Sequence, residues 1–154
     1  MSDITTVWDT ANSRGDWVIV PVSPGAPGGV LLSGSDLETA YLISIFSDRQ
    51  AQPGDVIPDN TGDPRGWIGD AGQPYPIGSR LWLLERAKQT PQTLNRAKTY
   101  VTEAVQWLLD DKVVARHVIT VQWVKAGMLG IWIQAYRPDG TKYPAFAWVW
   151  QGVN

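Results

Sequence analysis

The stretch from Ile77 to Val114 constrains the fold of this chain more than any other. Thr90-Pro91 marks a helix start in two residues. The threonine oxygen accepts a free N–H of the first turn, and proline at the first helical position has no N–H to leave unsatisfied. From there Leu94, Ala97, Val101, Ala104, Val105 and Leu108 recur at spacings of three and four, forming one apolar stripe. Asn95, Lys98, Glu103, Gln106 and Asp110 fall mainly on the other side. A long helix with a single apolar face needs a second layer to cover it. Just upstream, Ser79 is placed to cap a shorter helix over Arg80 to Lys88.

The covering layer follows the helix. Val118 to Val124 alternates, with Ile119, Val121 and Trp123 on one face. Leu129 to Tyr136 sets Leu129, Ile131, Ile133 and Ala135 opposite Trp132, Gln134 and Tyr136. Tyr143 to Gln151 places Phe146, Trp148 and Trp150 on one face. Ala126-Gly127 and Arg137-Pro138-Asp139-Gly140 are the turns between them. The pattern predicts an antiparallel meander with one helix-covered face, and whichever strand ends the sheet offers unpaired N–H and C=O groups to another chain.

What precedes the long helix is less regular. Residues 1–32 read as a β-type arm, with Thr6 to Asp9 and Asp16 to Val22 separated by an Ala-Asn-Ser-Arg-Gly turn. Pro21, Pro24 and Pro27 with Gly25, Gly28 and Gly29 rule out a central strand there. Ser35 and Glu38 form a capping box before a helix through Tyr41, Leu42, Ile45 and Phe46. The apolar positions of that helix cover a wide arc, so it is expected to lie between other elements and to fail near Ser47-Asp48. In residues 53–78 prolines and glycines nearly exclude regular structure. The segment is expected to be ordered nonetheless, pinned by Val56, Ile57, Trp67, Ile68, Tyr75 and Ile77. Gly66 and Gly69 are expected to shape its backbone around an anchored Trp67, with Arg65 and Asp70 bracing the loop as an ion pair or meeting a partner.

The fold class that follows is α+β, with helices packed on one face of a small antiparallel sheet. One domain over 1–154 is expected, divided into the arm (1–32), a helical part (33–114) containing the Gly/Pro loop, and the strands (115–154).

Composition narrows the function. A net charge of -2 without a basic run argues against a dedicated nucleic-acid binder. Cysteine is absent and histidine occurs once, at His117, so neither a disulfide framework nor a zinc site is expected, and no cofactor is implied. No apolar run approaches the roughly 20 residues of a membrane span. The N-terminus lacks a basic and apolar leader, so folding in the cytosol of the cell that makes the protein is expected. Asp63, Asp70 and Glu85 flank the Gly/Pro loop and form the nearest thing to an acid/base set for glycoside cleavage, but nothing in their spacing fixes a separation. His117 reads as a solvated strand-edge residue without a nucleophile. The nine tryptophans suit core packing first and contact surface second.

Three blocks carry a resemblance. Leu37 to Ala51 (LETAYLISIFSDRQA), Asp63 to Asp70 (DPRGWIGD) and Ile77 to Leu94 (IGSRLWLLERAKQTPQTL), with Gly15-Asp16-Trp17 earlier, resemble the Mu-type phage baseplate family encoded by gene 46, from about Val7 to Trp150. That family is similar to the gene-25-like wedge proteins of contractile tails, some of which carry a historical lysozyme label. The resemblance implies an α+β wedge fold whose sheet is shared with the sheath's strand-exchange domain. It implies a non-enzymatic virion protein, six per particle, bound to larger wedge proteins, a central hub or spike and the first sheath ring. The wider wedge family has Glu-Pro-Arg after its long helix. Here Asp110 to Arg116 reads DDKVVAR, without the proline, and Asp111 and Arg116 are the candidates for the two charges. The candidate partner-binding residues are thus Arg65, Trp67, Asp70, Asp111, Arg116, Trp148 and Trp150. The competing class is a glycan-active protein, a peptidoglycan hydrolase or a sugar-binding module using exposed tryptophans.

Overall fold

The computed structural model describes residues 4–21, 24, 29–31 and 34–153. In chain order the elements are β1 (Thr6–Asp9), β2 (Arg14–Trp17), β3 (Ile19–Pro21), β4 (Gly29–Leu31), α1 (Asp36–Phe46), α2 (Pro91–Val105), α3 (Trp107–Asp110), β5 (Arg116–Lys125), β6 (Met128–Tyr136) and β7 (Phe146–Gln151). Short 3-10 turns lie at Ile68–Asp70 and Leu81–Leu84.

α2 starts as its cap dictates. Thr90 Oγ1 accepts from the Thr93 N–H at 3.1 Å, and Pro91 opens the first turn. Ala97, Val101, Ala104, Val105 and Leu108 are buried, and Leu94 packs at the margin of the core. Tyr100 is buried as well, outside the apolar stripe, and the Arg80 guanidinium lies 4.7 Å over its ring. The helix tightens at Gln106 and adds α3 as one further turn.

β5, β6 and β7 form an antiparallel meander in that order. Ile119 pairs with Ile133, and Ile131 with both Val121 and Trp148, so the alternating apolar sets share one face. Leu129, Ile131, Ile133 and Ala135 are almost wholly buried there against the α2 stripe. Each large aliphatic side chain so placed contributes roughly 1.5–3 kcal/mol. The helices cover one face, and the other carries Thr120, Gln122 and Gln134. β7 begins at Phe146, after Pro144, because proline cannot donate to the ladder.

α1 lies between the β1–β2 hairpin and α2, as its wide apolar arc requires. Thr39 Oγ1 accepts from Thr6 N–H at 3.3 Å, and Trp8 stacks on Phe46 at 3.8 Å. The helix ends at Ser47. The capping box does not form: Ser35 has ψ 44°, not the extended conformation a cap needs, and its side chain makes no cap bond. The run Asp16 to Val22 is not one strand either. It divides at Val18, whose N–H goes to Thr5 O, and Ile19–Pro21 pairs with Gly29–Leu31 in a separate two-stranded ribbon. Apart from Pro24, residues 22–28, including Val22 and Pro27, lie outside the described residues.

The expected helix over Arg80 to Lys88 is only the turn Leu81–Leu84. All four of its residues are buried, leaving no solvent face for a longer amphipathic helix. Arg86 then takes φ 65° and gives its N–H to Gly152 O, which ends the turn. Ser79 is buried too. Its hydroxyl donates to Ile45 O at 2.5 Å and accepts from Leu81 N–H at 3.2 Å.

His117 is not a solvated edge residue. It lies within β5, half-buried, with Nδ1 3.4 Å from the Tyr41 hydroxyl. Burial holds its pKa below the ordinary histidine value. The unfolded chain therefore takes up a proton first as pH falls, and stability declines from about pH 6.5 downward. The denaturation midpoint is expected to drop between about pH 7 and pH 5 in the native protein and to flatten in His117→Gln. Equal slopes in both would exclude His117 as the cause.

Candidate interface site

The Gly/Pro loop is held in place by polar groups. The Arg65 guanidinium reaches Asp48 at 2.9 Å, Glu85 at 3.3 Å and Asp59 at 3.6 Å, and lies 4.4 Å over the Trp82 ring. Burial alone would lower its pKa, but its hydrogen bonds to Asp48 and Glu85 outweigh that and keep it above its ordinary value. Arg80 makes a second clamp, reaching Asp55 at 3.0 Å and Glu103 at 2.9 Å. Ala51 N–H donates to Pro64 O, Arg49 to Pro76 O, and Ile77 N–H to Asp70 Oδ1. Arg65 and Asp70 do not pair with each other as the sequence suggested. Arg65 is drawn inward by three other carboxylates, and Asp70 closes the turn below.

The expected apolar anchors divide. Ile57 and Ile77 are partly buried, whereas Val56 is 78%, Trp67 57%, Ile68 91% and Tyr75 64% exposed. Ion pairs, hydrogen bonds to Pro64 and Pro76 and the packing of Ile57 tie the loop to the rest of the fold, and the other four side chains face outward. Gly66 has φ 106° and passes against Gln50, where a Cβ would not fit. Gly69 serves differently: a Cβ there would strike the Trp67 ring, so the indole lies directly on its backbone. Trp67 is therefore oriented by Gly69 but not buried.

Trp67 stands between two shallow grooves. One, of about 410 Å³, is lined by Trp67, Gly69, Asp70, Tyr75, Pro76, Ile77, Ala104, Trp107 and Asp111 among others. The second, of about 440 Å³, runs past Gln50, Arg65, Gly66 and Ile68, and shares Trp67 and Asp70 with the first. Asp70 Oδ2 is buried without a donor among the described residues. Of the sequence candidates, Arg65, Trp67, Asp70 and Asp111 thus come together on one surface. Arg116 does not join them; its guanidinium lies 3.9 Å over Tyr136. Tyr75 and Trp107 belong to the same surface but are not among the sequence candidates for partner binding; the sequence reads Tyr75 as a buried anchor of the loop.

Trp148 and Trp150 are 5% and 9% exposed and belong to this chain's own core. What β7 offers a partner is its backbone edge. Tyr143 N–H donates to Ala135 O, so alternation along β6 turns Ile131 N–H and C=O toward β7. Trp148 answers them, and Ala147, Val149 and Gln151 point their backbone groups outward. Trp8 Nε1 donates to Val149 O at 2.7 Å and occupies one of these.

The three carboxylates of the sequence reading's acid/base set have different settings. Glu85 is held by Arg65, Asp63 Oδ1 accepts from Arg65 N–H at 2.8 Å, and Asp70 lines the grooves. Among the described residues no group of His, Cys, Asp and Glu is placed to hold a metal ion. No helix there is long and apolar enough to cross a membrane.

Residues 37–142, spanning α1, the loop, α2 and two of the three meander strands, match the family described as Phage protein GP46. The chain belongs to that family. Similarity to gp46 relatives extends beyond the matched segment. The baseplate protein gp46 of Escherichia phage Mu is 39% identical over 145 residues, covering 94% of this chain and 93% of the relative. The Mu-like prophage FluMu protein gp46 of Haemophilus influenzae is 33% identical over 142 residues, covering 92% and 91%. Arg65, Trp67, Asp70, Asp111 and Arg116 lie within the gp46 match, and β7 beyond it.

Proposed function

We propose that this protein is a structural subunit of the baseplate of a contractile phage tail or tail-like particle, incorporated into the virion after synthesis in the bacterial host. In this reading it binds larger wedge proteins around a central hub, in six copies, and presents its sheet to the first sheath ring. The relatives' baseplate name supports the coarse role. The β7 edge carries the finer one. It ends a three-stranded sheet, and Trp8 covers only one of its carbonyl groups among the interactions described. β-Augmentation uses such an edge, drawing affinity from main-chain hydrogen bonds.

The test is Val149→Pro. The Val149 N–H points away from β6, so proline there removes an outward donor and leaves the β6–β7 ladder intact. The variant is expected to fold, by circular dichroism and thermal melting, and to yield baseplates without sheathed tails. A folded variant that still builds complete sheathed tails would overturn strand addition through this edge.

A further inference from the structure

The groove between the loop and the end of α2 combines aromatic walls with uncompensated negative charge. Trp67, Tyr75 and Trp107 line it, and Tyr75 is 64% and Trp67 57% exposed. Its charged lining residues are Asp70 and Asp111, with no lysine or arginine among them. Of the nearby arginines, Arg65 is paired with Asp48, Asp59 and Glu85, and Arg49 with Glu103 at 3.2 Å and with the Pro76 carbonyl at 2.7 Å. Asp70 gives Oδ1 to the Ile77 N–H, while Oδ2 is covered yet has no donor within the described chain. A shielded carboxylate oxygen without a donor is costly, and native structures seldom keep one without a reason. A concave site of one sign with apolar walls also concentrates its field on an incoming cation.

We propose that this groove docks a peptide segment of another protein that presents a lysine or arginine between apolar side chains. The cation pairs with Asp111 and lies in the field of the covered Asp70 carboxylate, and the apolar neighbours lie against Trp67 and Tyr75. Arginine suits the site best, because its guanidinium both pairs with a carboxylate and stacks on an aromatic face. Placing the partner among the other tail proteins rests on the baseplate reading; the preference for a cation flanked by apolar groups does not.

The experiment uses the purified full chain and a randomised peptide library, without any particle, so its outcome is independent of the Val149→Pro result. Selected peptides are expected to share a basic residue next to apolar ones. Their affinity should fall about tenfold in Asp70→Asn, the loss of one shielded negative charge from beside the bound cation. Asn keeps an oxygen for the Ile77 N–H, so the variant should melt like the native protein. Trp67→Ala, at an exposed position, should likewise fold and lose binding. Rising salt should weaken the native interaction more than that of Asp70→Asn. The proposal is overturned if no peptide is enriched, if the enriched peptides lack a basic residue, or if both variants bind them unchanged. Co-sedimentation with peptidoglycan that Trp67→Ala abolishes, in place of peptide binding, would also overturn it and assign the groove to glycans.

Discussion

Replacing Trp148 with alanine is expected to destabilise the protein by about 3–5 kcal/mol, the range for truncating a buried large aromatic. The indole is 5% exposed. It stacks parallel to Phe146 at 5.9 Å, meets Phe46 edge-on at 6.2 Å and lies 6.3 Å from Tyr41. It therefore joins β7 to α1, and alanine would open a cavity lined by groups from both. Because Trp8 stacks on the same Phe46, the N-terminal hairpin should loosen with it. Guanidinium unfolding of Trp148→Ala against the native protein gives the number, with Trp148→Phe expected to lose less. A loss under about 1 kcal/mol would mean that the side chain is not a core element.

Arg80→Met should cost about 2–3 kcal/mol, below the range for breaking a fully buried pair because the partners retain some solvent. The Arg80 side chain is 12% exposed, and Asp55 and Glu103 are 16% and 30% exposed. Methionine preserves much of the packing on Tyr100 but leaves Asp55 without its cation. Burial pushes the Asp55 pKa up, while the Gln52 N–H and Arg80 outweigh it, so the net position is below the ordinary carboxylate value. A depressed pKa contributes stability that is present above the unfolded value, about 3.9, and lost as pH falls through the folded one. The difference between native and Arg80→Met proteins should therefore shrink in acid. A difference that stays constant to below about pH 2 would place the effect in packing, not in the ion pair.

Together the two predictions separate what can be read from the chain from what cannot. The C-terminal meander was legible because alternation has a period of two and its turns are coded by a few residues. Leu129, Ile131 and Ile133 face the core as their spacing requires. The same alternation placed Trp148 and Trp150 on one face, but only packing decided that this face is internal. For the interface, the cluster of Arg65, Trp67 and Asp70 was visible as a dense block of glycines, charge and one aromatic. Its joining with Trp107 and Asp111 was not, because those residues reach it through the fold of α2 and α3.

The sequence by itself determined the elements whose causes are local: the Thr90-Pro91 start of α2, the apolar stripe, the end of α1 at Ser47, and the strands with their turns. Tertiary structure decided the rest. Arg65 meets carboxylates at positions 48, 59 and 85, and Arg80 joins residues 55 and 103. No local pattern selects these partners among the chain's other charges. Ser35 makes no cap because its ψ of 44° is not extended, and Leu81–Leu84 stayed a single turn because all four residues are buried. In the loop only Ile57 and Ile77 of the apolar side chains turn inward, while Val56, Trp67, Ile68 and Tyr75 face outward, because ion pairs and hydrogen bonds from distant residues also fix its path.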